Sequence, residues 1–339
     1  MANISDIAKH AQVSRSLVSR VLNGKSGVSS ENRERILKAI QMYNYTPNEL
    51  ARSLVSQKTQ TIGVVMDDLR DKYFFDLISG MQDMSEQLDY NIIFCSGRDN
   101  QDVKFRYVDY FLRGRADGLI AFGSRLDDGP VFKELTKKAK HFLLIEGSIP
   151  GYEVNKIQLD NMGGAYRATT HLFNCGYRKI WHVTGDLKYT AARGRLNGYL
   201  KAISDYTTAG IEGRVIYADF EEELACQRVG ALIREKTLPD AFFVGADKTA
   251  FGVIRALFTN GLRVPEDIAI IGFDGDQPDT YDMVFPKLTT MRQMLYEIGK
   301  AGVELLVRSI RDPDRKPEEI VFEPEFIQGD TCPPIDHTP

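Results

Sequence analysis

The chain is poor in cysteine, histidine and tryptophan, with four, five and one of these among 339 residues. Cys95, Cys175, Cys226 and Cys332 lie far apart and form no CxxC pair. A disulfide framework needs dense cysteines in a short secreted chain, and a zinc site usually shows such a pair, so neither is expected. His10, His141, His171, His182 and His337 show no metal-ligand spacing, and His171 reads as a satisfied structural histidine on a helix. Long apolar runs are missing too: none approaches the roughly 18 residues that span a bilayer. The opening Met1-Ala2-Asn3-Ile4-Ser5-Asp6 is polar and acidic, where an export signal is basic and then apolar. These absences predict a cytoplasmic protein in a reducing compartment, with no metal, cofactor or membrane.

Catalytic signatures are equally scarce. There is no HExxH and no GxSxG elbow. Asn23-Gly24-Lys25-Ser26 ends like a phosphate loop, but Ser19 stands where the first glycine is required. Asp67-Asp68 and Asp127-Asp128 are adjacent carboxylates that should point apart, so they are expected as solvated loop charges rather than acid–base dyads. No catalytic residue is assigned.

What the chain does have is ordinary globular composition, 43% hydrophobic and 27% charged, at a length that suits two or three compact units. Charge is divided unevenly. Residues 1–60 carry a net +5 and the remainder −9. A basic head on an acidic body suits contact between the head and a polyanion.

Three short helices are expected in residues 3–45. Ile4, Ile7, Ala8 and Ala11 form one apolar stripe, with Asn3 as N-cap and Asp6 in the first turn. After a break at Ala11-Gln12-Val13, Ser14 begins a second helix whose inward positions are Val18, Val21 and Leu22. Ser29 caps a third, with Ile36, Leu37, Ile40 and Tyr43 as its apolar face. Two short helices across a tight turn, braced by a third, make a helix-turn-helix. Its second helix presents Arg15, Ser16 and Arg20 outward, residue types suited to base edges and phosphates.

From Thr61 the pattern alternates between strand and helix. Expected strands are Thr61–Met66, Asn91–Cys95, Asp117–Phe122, His141–Ile145, Lys156–Leu159, Lys179–Val183, Arg214–Tyr217, Ala241–Val244, Ile268–Gly272 and Glu319–Phe322. Expected helices include Phe75–Leu88, Gly163–Cys175, Ala192–Ile203, Glu221–Arg234 and Asp247–Phe258. Short, apolar, β-branched runs between amphipathic helices imply parallel sheets covered on both faces. Two such sheets match the length. Ligands of open α/β sheets bind beyond the carboxyl ends of the strands. Aromatics, arginines and carboxylates collect there, at Tyr73-Phe74, Arg193–Asn197, Asp219-Phe220, Asp247 and Asp274–Asp276. That mixture suits a polyhydroxylated ligand.

Ile4-Ser5-Asp6-Ile7-Ala8-Lys9-His10-Ala11-Gln12-Val13-Ser14, Val18–Asn23 and Tyr45-Thr46-Pro47-Asn48-Glu49-Leu50-Ala51-Arg52-Ser53-Leu54 closely resemble the start of the lactose-repressor (LacI) family. The resemblance continues along almost the whole chain. It implies a small all-α helix-turn-helix domain at 1–46, a hinge helix and linker at 47–60, and a two-lobed α/β body of type I periplasmic-binding-protein fold at 61–339. The chain would cross between lobes three times, with lobe one near 61–160 plus 291–322 and lobe two near 161–290 plus the C-terminal end. The implied operator contacts are Ser14, Arg15, Ser16, Ser19 and Arg20 on the head, and Asn48, Ala51 and Leu54 in the hinge. Leu54 corresponds to the family's minor-groove wedge; Leu50 and Leu54 also fit simple burial on one helix face. The implied effector contacts are Tyr73, Phe74, Arg195, Phe220, Asp247 and Asp274. Arg195 and Asp274 fit an interlobe ion pair as well.

Three positions depart from the family pattern. Gln12 stands at a turn position often held by Gly, Ala246 replaces the Asn of an Asn-Asp pair, and Gln328 stands where many members have Arg. The resemblance implies a homodimeric, sequence-specific repressor on near-palindromic double-stranded DNA, controlled by a small-molecule effector, most simply a sugar. Tyr73, Phe74 and Asp219-Phe220-Glu221 are also similar to purine-type, corepressor-dependent members. A sugar-binding protein or enzyme with an accessory basic domain is the reading from another class.

Overall fold

The computed structural model describes residues 3–22, 26–45, 58–98, 100–123, 125–276 and 286–332. Residues 1–59 and 60–339 separate into two compact units. Asn48, Ala51 and Leu54 lie outside the described residues.

In the first unit, α1 (Ile4–Ala11), α2 (Arg15–Leu22) and α3 (Ser30–Met42) follow the expected order. The Asn3 side chain accepts the Ser5 and Asp6 amides, and the Asp6 carboxylate accepts the Asn3 N–H at 2.9 Å, a reciprocal capping box. Ser29 caps α3 by accepting the Asn32 amide. Ile7, Ala8, Ala11, Val18, Val21, Ile36 and Ala39 make the core. The expected face of α3 needs correction: Leu37 is 51% and Tyr43 42% exposed, while Ala39 is buried. At about 100° per residue, Leu37 is turned roughly a quarter of the circumference from Ile36, whereas Ala39 returns to its side. Tyr43 instead sets its ring edge-on to His10 at 5.3 Å.

The second unit holds two six-stranded sheets. Lobe one contains β1 (Thr61–Met66), α4 (Phe75–Gln87), β2 (Asn91–Ser96), α5 (Gln101–Leu112), β3 (Gly118–Phe122), α6 (Gly129–Lys138), β4 (Phe142–Ile145) and β5 (Asn155–Leu159). Lobe two contains α7 (Asn161–Asn174), β6 (Lys179–Thr184), α8 (Thr190–Asp205), β7 (Glu212–Tyr217), α9 (Glu222–Arg234), β8 (Ala241–Val244), α10 (Asp247–Thr259), β9 (Ala269–Asp274) and β10 (Thr289–Arg292). The chain then returns to lobe one with α11 (Leu295–Arg311) and β11 (Glu319–Phe322), and ends its described course in lobe two with β12 (Glu325–Ile327). The strand orders are β11-β5-β4-β3-β1-β2 and β12-β10-β9-β8-β6-β7. Among the described residues, all pairings between these strands are parallel except β10 with β12. The three crossings therefore fall after β5, after β10 and after β11.

Strands buried on both faces explain the nearly unbroken apolar runs. In lobe one, Ile62, Val64, Met66, Ile120, Leu143 and Ile145 pack against Leu77 and Met81 of α4 and Ile298, Val303 and Leu306 of α11. In lobe two, Trp181, Val183, Phe242, Val244 and Ile270 pack against Val253, Ile254 and Leu257 of α10. Two strands escaped the sequence reading, β10 and β12. Both are short, partly polar and next to a crossing, so neither carries the apolar run of a central strand. The return to lobe one runs through Gln293 and Met294, between β10 and α11, and the Gln293 backbone amide still donates to the Asp274 carbonyl of lobe two.

Candidate functional site

On the head, Ser14, Arg15 and Ser16 are exposed at the start of α2, Ser19 is half-buried and Arg20 is exposed. Ser14 has a structural task of its own: its hydroxyl accepts the Leu17 amide at 3.3 Å and lies 2.8 Å from the Ser16 hydroxyl. Arg15 and Ser16 thus sit where the helix leaves amide groups pointing outward, a favourable place for phosphate. Gln12 adopts φ +57° and ψ +43° at the C-cap of α1, a left-handed conformation that favours glycine. Its side-chain oxygen accepts from the Arg35 guanidinium at 3.1 Å, which helps hold the turn.

In the body, residues that follow the carboxyl ends of strands in both sheets meet along one seam, the crevice between the lobes. Arg195, in the second turn of α8, is 3% exposed. Its Nε donates to Asn161 Oδ1 at 2.8 Å; its Nη1 donates to the Gly245 carbonyl at 2.5 Å and to Asp274 Oδ1 at 3.1 Å. Its guanidinium also lies 4.0 Å from the Phe273 ring centre. Arg195 and Asp274 belong to the same lobe, so the salt bridge itself is within lobe two. The links across the crevice come from its neighbours. Asn161 Nδ2 donates to Glu146 Oε1, from lobe one, at 2.9 Å. Tyr73, also from lobe one, donates its hydroxyl to Gln293 Oε1 at 3.0 Å, and Gln293 Nε2 donates to Asp274 Oδ1 at 2.5 Å. At another point the Leu126 amide donates to the Lys188 carbonyl at 2.9 Å.

The other candidates divide. Phe220, half-buried, has its ring centre 5.9 Å from the Arg195 guanidinium carbon. Gly185 is required beneath it, because an added Cβ would meet the Phe220 ring at 2.1 Å. Phe74 is buried edge-on against Phe122 at 5.0 Å and belongs to the lobe-one core. Asp247 is fully buried at the start of α10. Its carboxylate accepts the Thr290 hydroxyl at 2.8 Å and the Gly275 and Asp276 amides at 2.7 and 2.8 Å. It holds the loop after β9, and Gly272 makes room for it. Ala246, at the N-cap of α10, supplies no side-chain cap.

Backbone strain collects at this edge. Glu146, Asp219, Phe220 and Asp274 have φ of +55°, +53°, +63° and +133°. Each such conformation costs about 1–3 kcal/mol in a non-glycine residue and persists only where the surroundings impose it. Burial also raises three carboxyls here. Asp274 is pushed up to about 7, against the pull of Arg195. Glu146 is raised by burial, with Arg195 and Asn161 opposing, and Asp247 well above its usual value by burial and then by Asp274. One guanidinium among three buried carboxyls favours retention of protons at this site.

Sequence reasoning missed Glu146, Asn161 and Gln293. Each follows a strand end, but Gln293 follows the overlooked β10, and an amide or lone Glu carries no motif. It also misread two carboxylates. Asp67 and Asp128 are buried, 5% and 1% exposed, and both pair with buried Lys104 of α5, at 2.9 Å for Asp128. Their neighbours Asp68 and Asp127 pair with Arg70 and Arg125 nearer the surface. The adjacent side chains do point apart, yet only one of each pair is solvated, because Lys104 supplies a buried counter-charge.

Residues 3–48 match the model of bacterial regulatory proteins, lacI family, and residues 169–332 match that of a periplasmic binding protein-like domain. Catabolite control protein A of Priestia megaterium is 31% identical over 306 residues, 90% of this chain and 91% of that protein. The chain belongs to the lacI family. A ribose operon repressor of Haemophilus influenzae is 30% identical over 328 residues, covering 96% of this chain and 97% of that protein. Among solved structures, the lac repressor dimer bound to operator and the anti-inducer ONPF superposes with a TM-score of 0.87, at 26% identity, covering 98% of this chain and 99% of that one. In this lacI-family chain no helix among the described residues is long and apolar enough to cross a membrane.

Proposed function

We propose that this lacI-family chain is a homodimeric, DNA-binding transcriptional repressor. Its operator affinity is set by a hydroxyl-rich effector, a sugar or sugar derivative, bound between the lobes of the body. It works in the cytoplasm and carries out no catalytic step. Ser14, Arg15, Ser16, Ser19 and Arg20 serve the half-site, Arg15 by a bidentate pair to guanine in the major groove. Asn48, Ala51 and Leu54 serve the centre of the operator, Leu54 as the wedge.

The observation that carries the effector reading is the crevice network. Arg195 only donates, a carboxyl accepts and, when it keeps its proton, also donates, and the Asn161 and Gln293 amides do both. Here they bond one another, with Glu146 and Tyr73 supplying the lobe-one ends of the network. A polyol entering the crevice would take over the bonds from Asn161 to Glu146 and from Tyr73 to Gln293. Because those bonds join the lobes, their exchange changes the interlobe angle. An effector acts on DNA binding only through unequal affinity for the two arrangements. Phe220 offers an aromatic face to a sugar's C–H surface. The same face suits a purine, which is the second reading.

Salt-dependent binding of the full chain to one defined operator, abolished by removal of residues 1–58, tests the DNA half. A thermal-shift screen of sugars, sugar phosphates and purines tests the other half, since a ligand that binds the folded state alone raises the melting temperature. Purines that stabilise the protein where all sugars fail would replace the sugar reading.

A further inference from the structure

At the far end of α7 from Asn161, three soft donors converge. His171 lies in the last turn of that helix and Cys175 is its C-cap, four residues on, so both project to the same face. Cys332 arrives from the C-terminal segment. The ligand atoms of His171, Cys175 and Cys332 all lie within 4.8 Å of one another. Cys332 is buried and the other two are half-buried. His171 Nε2 is buried with no hydrogen-bond partner. The expectation of a satisfied structural histidine is therefore corrected: its ring packs on Phe326, with centres 4.5 Å apart, but that nitrogen is left unpaired.

The position of Cys332 is built. Thr331 donates to the Ile270 carbonyl at 2.8 Å and accepts the Thr289 amide at 2.8 Å. Gln328, the residue that departs from the family pattern, donates to the Cys332 carbonyl at 2.5 Å. The Cys175 and Cys332 sulfurs stand 3.9 Å apart. Two thiolates at about 2.3 Å from one zinc ion, at a tetrahedral angle, stand about 3.8 Å apart. A disulfide needs about 2.05 Å. The Cys332 thiol now donates to Cys175 Sγ across that gap, and one zinc ion fits between the two sulfurs with little movement of either.

We infer that His171, Cys175 and Cys332 form a binding site for a soft, tetrahedral divalent cation of the zinc class, with solvent in the fourth position. The ion would tie the end of α7 to the C-terminal segment of lobe two. Each thiol gives its proton to solvent as the ion binds, and neutral His171 offers Nε2. Affinity therefore rises with pH, because each thiol must lose its proton before it can bind the ion. The spacing His-x3-Cys with a third ligand 157 residues later explains why no motif was visible.

The test uses the full chain, reduced with a non-thiol phosphine and stripped of metal. Cobalt(II) titration should produce a thiolate-to-cobalt charge-transfer band and tetrahedral ligand-field bands that saturate at one ion per chain. Zinc should displace the cobalt and raise the melting temperature. Cys175→Ser, at a half-exposed position, should keep the fold, and it should weaken cobalt binding about tenfold or more, as should His171→Ala. Cys95→Ser and Cys226→Ser should leave the titration unchanged. Absence of the charge-transfer band in the wild-type chain overturns the site. So does a band that survives Cys175→Ser at full affinity, or a Cys175–Cys332 disulfide that persists in the presence of reductant and excludes cobalt.

Discussion

The head and the crevice solve opposite problems with the same residue types. On the head, Arg15 and Ser16 are exposed, and the hydrogen bonds that hold the helix starts are local: the Leu17 amide donates to the Ser14 hydroxyl and the Asn3 amide to the Asp6 carboxylate. In the crevice, Arg195 is 3% exposed and its side-chain partners lie 34 and 79 residues away. An exposed arginine can be removed without leaving a buried group unpaired; a buried one cannot. Recognition on the head is thus separable from stability, whereas in the crevice the two are joined.

Arg195→Ala should show the largest effect. Removing one partner of a buried ion pair costs about 3–5 kcal/mol, and uptake of a proton by Asp274 places the loss near the lower end. Urea unfolding of the full chain measures it, with effector affinity read by calorimetry beside it. Affinity should fall roughly ten- to hundredfold. An unchanged unfolding midpoint would show that the network carries no stability and would erase the contrast with the head.

Next comes a pH effect confined to the body. Burial lowers His182 of β6 to about 4 from its ordinary 6.5. The folded state therefore prefers neutral histidine. The stability this represents is complete above pH 6.5 and is lost as pH falls toward 4, by about 2–3 kcal/mol. Asp274 works the other way: its carboxyl is raised, so stability falls as pH rises from about 4 to about 7. In wild type the two slopes oppose. His182→Gln should remove the largest rising contribution, leaving the smaller ones of His141 and His171, so that the melting temperature drops more steeply between pH 5 and 7 than in wild type. A variant with the wild-type profile would show that His182 does not titrate across folding.

Arg15→Ala sharpens the comparison from the head. Operator discrimination at one symmetric pair of bases should relax by about 1–3 kcal/mol, with the melting temperature unchanged. Relative affinities that stay the same across a panel of operator variants would remove Arg15 from base readout.

Gln12→Gly should have the smallest effect. Relief of the left-handed backbone favours glycine, while loss of the Arg35 hydrogen bond and greater freedom of the unfolded chain oppose it. A net stabilisation below about 1 kcal/mol is expected on denaturation of the head. A loss of more than that would make the Gln12–Arg35 contact the main support of the turn.

The contrast also explains what was legible. Asn3, Ser14 and Ser29 announced the three head helices because a cap acts on amides two or three residues away. The βαβ order and nearly every central strand were legible because burial on both faces forces apolar runs. The candidates Arg195 and Asp274 were found through strand-end position and family resemblance. Phe74 and Asp247 carry the same residue types and the same kind of position, yet one caps the lobe-one core and the other fastens the loop after β9. Side-chain direction at a strand end depends on neighbours supplied by other elements, and no local pattern records it.

Sequence alone determined the two-part organisation, the helix-turn-helix and the parallel α/β body, because hydrophobic periodicity, capping and composition act over a few residues. The tertiary structure decided the rest. It set Glu146 and Tyr73 of lobe one against Asn161 and Gln293, placed Lys104 between Asp67 and Asp128, and brought Cys332 beside His171 and Cys175. These partners are separated by up to 220 residues. The crevice partners meet because the chain crosses between two packed lobes, and the other two groups because distant segments fold together within one lobe; burial makes each polar group depend on whichever partner the fold delivers.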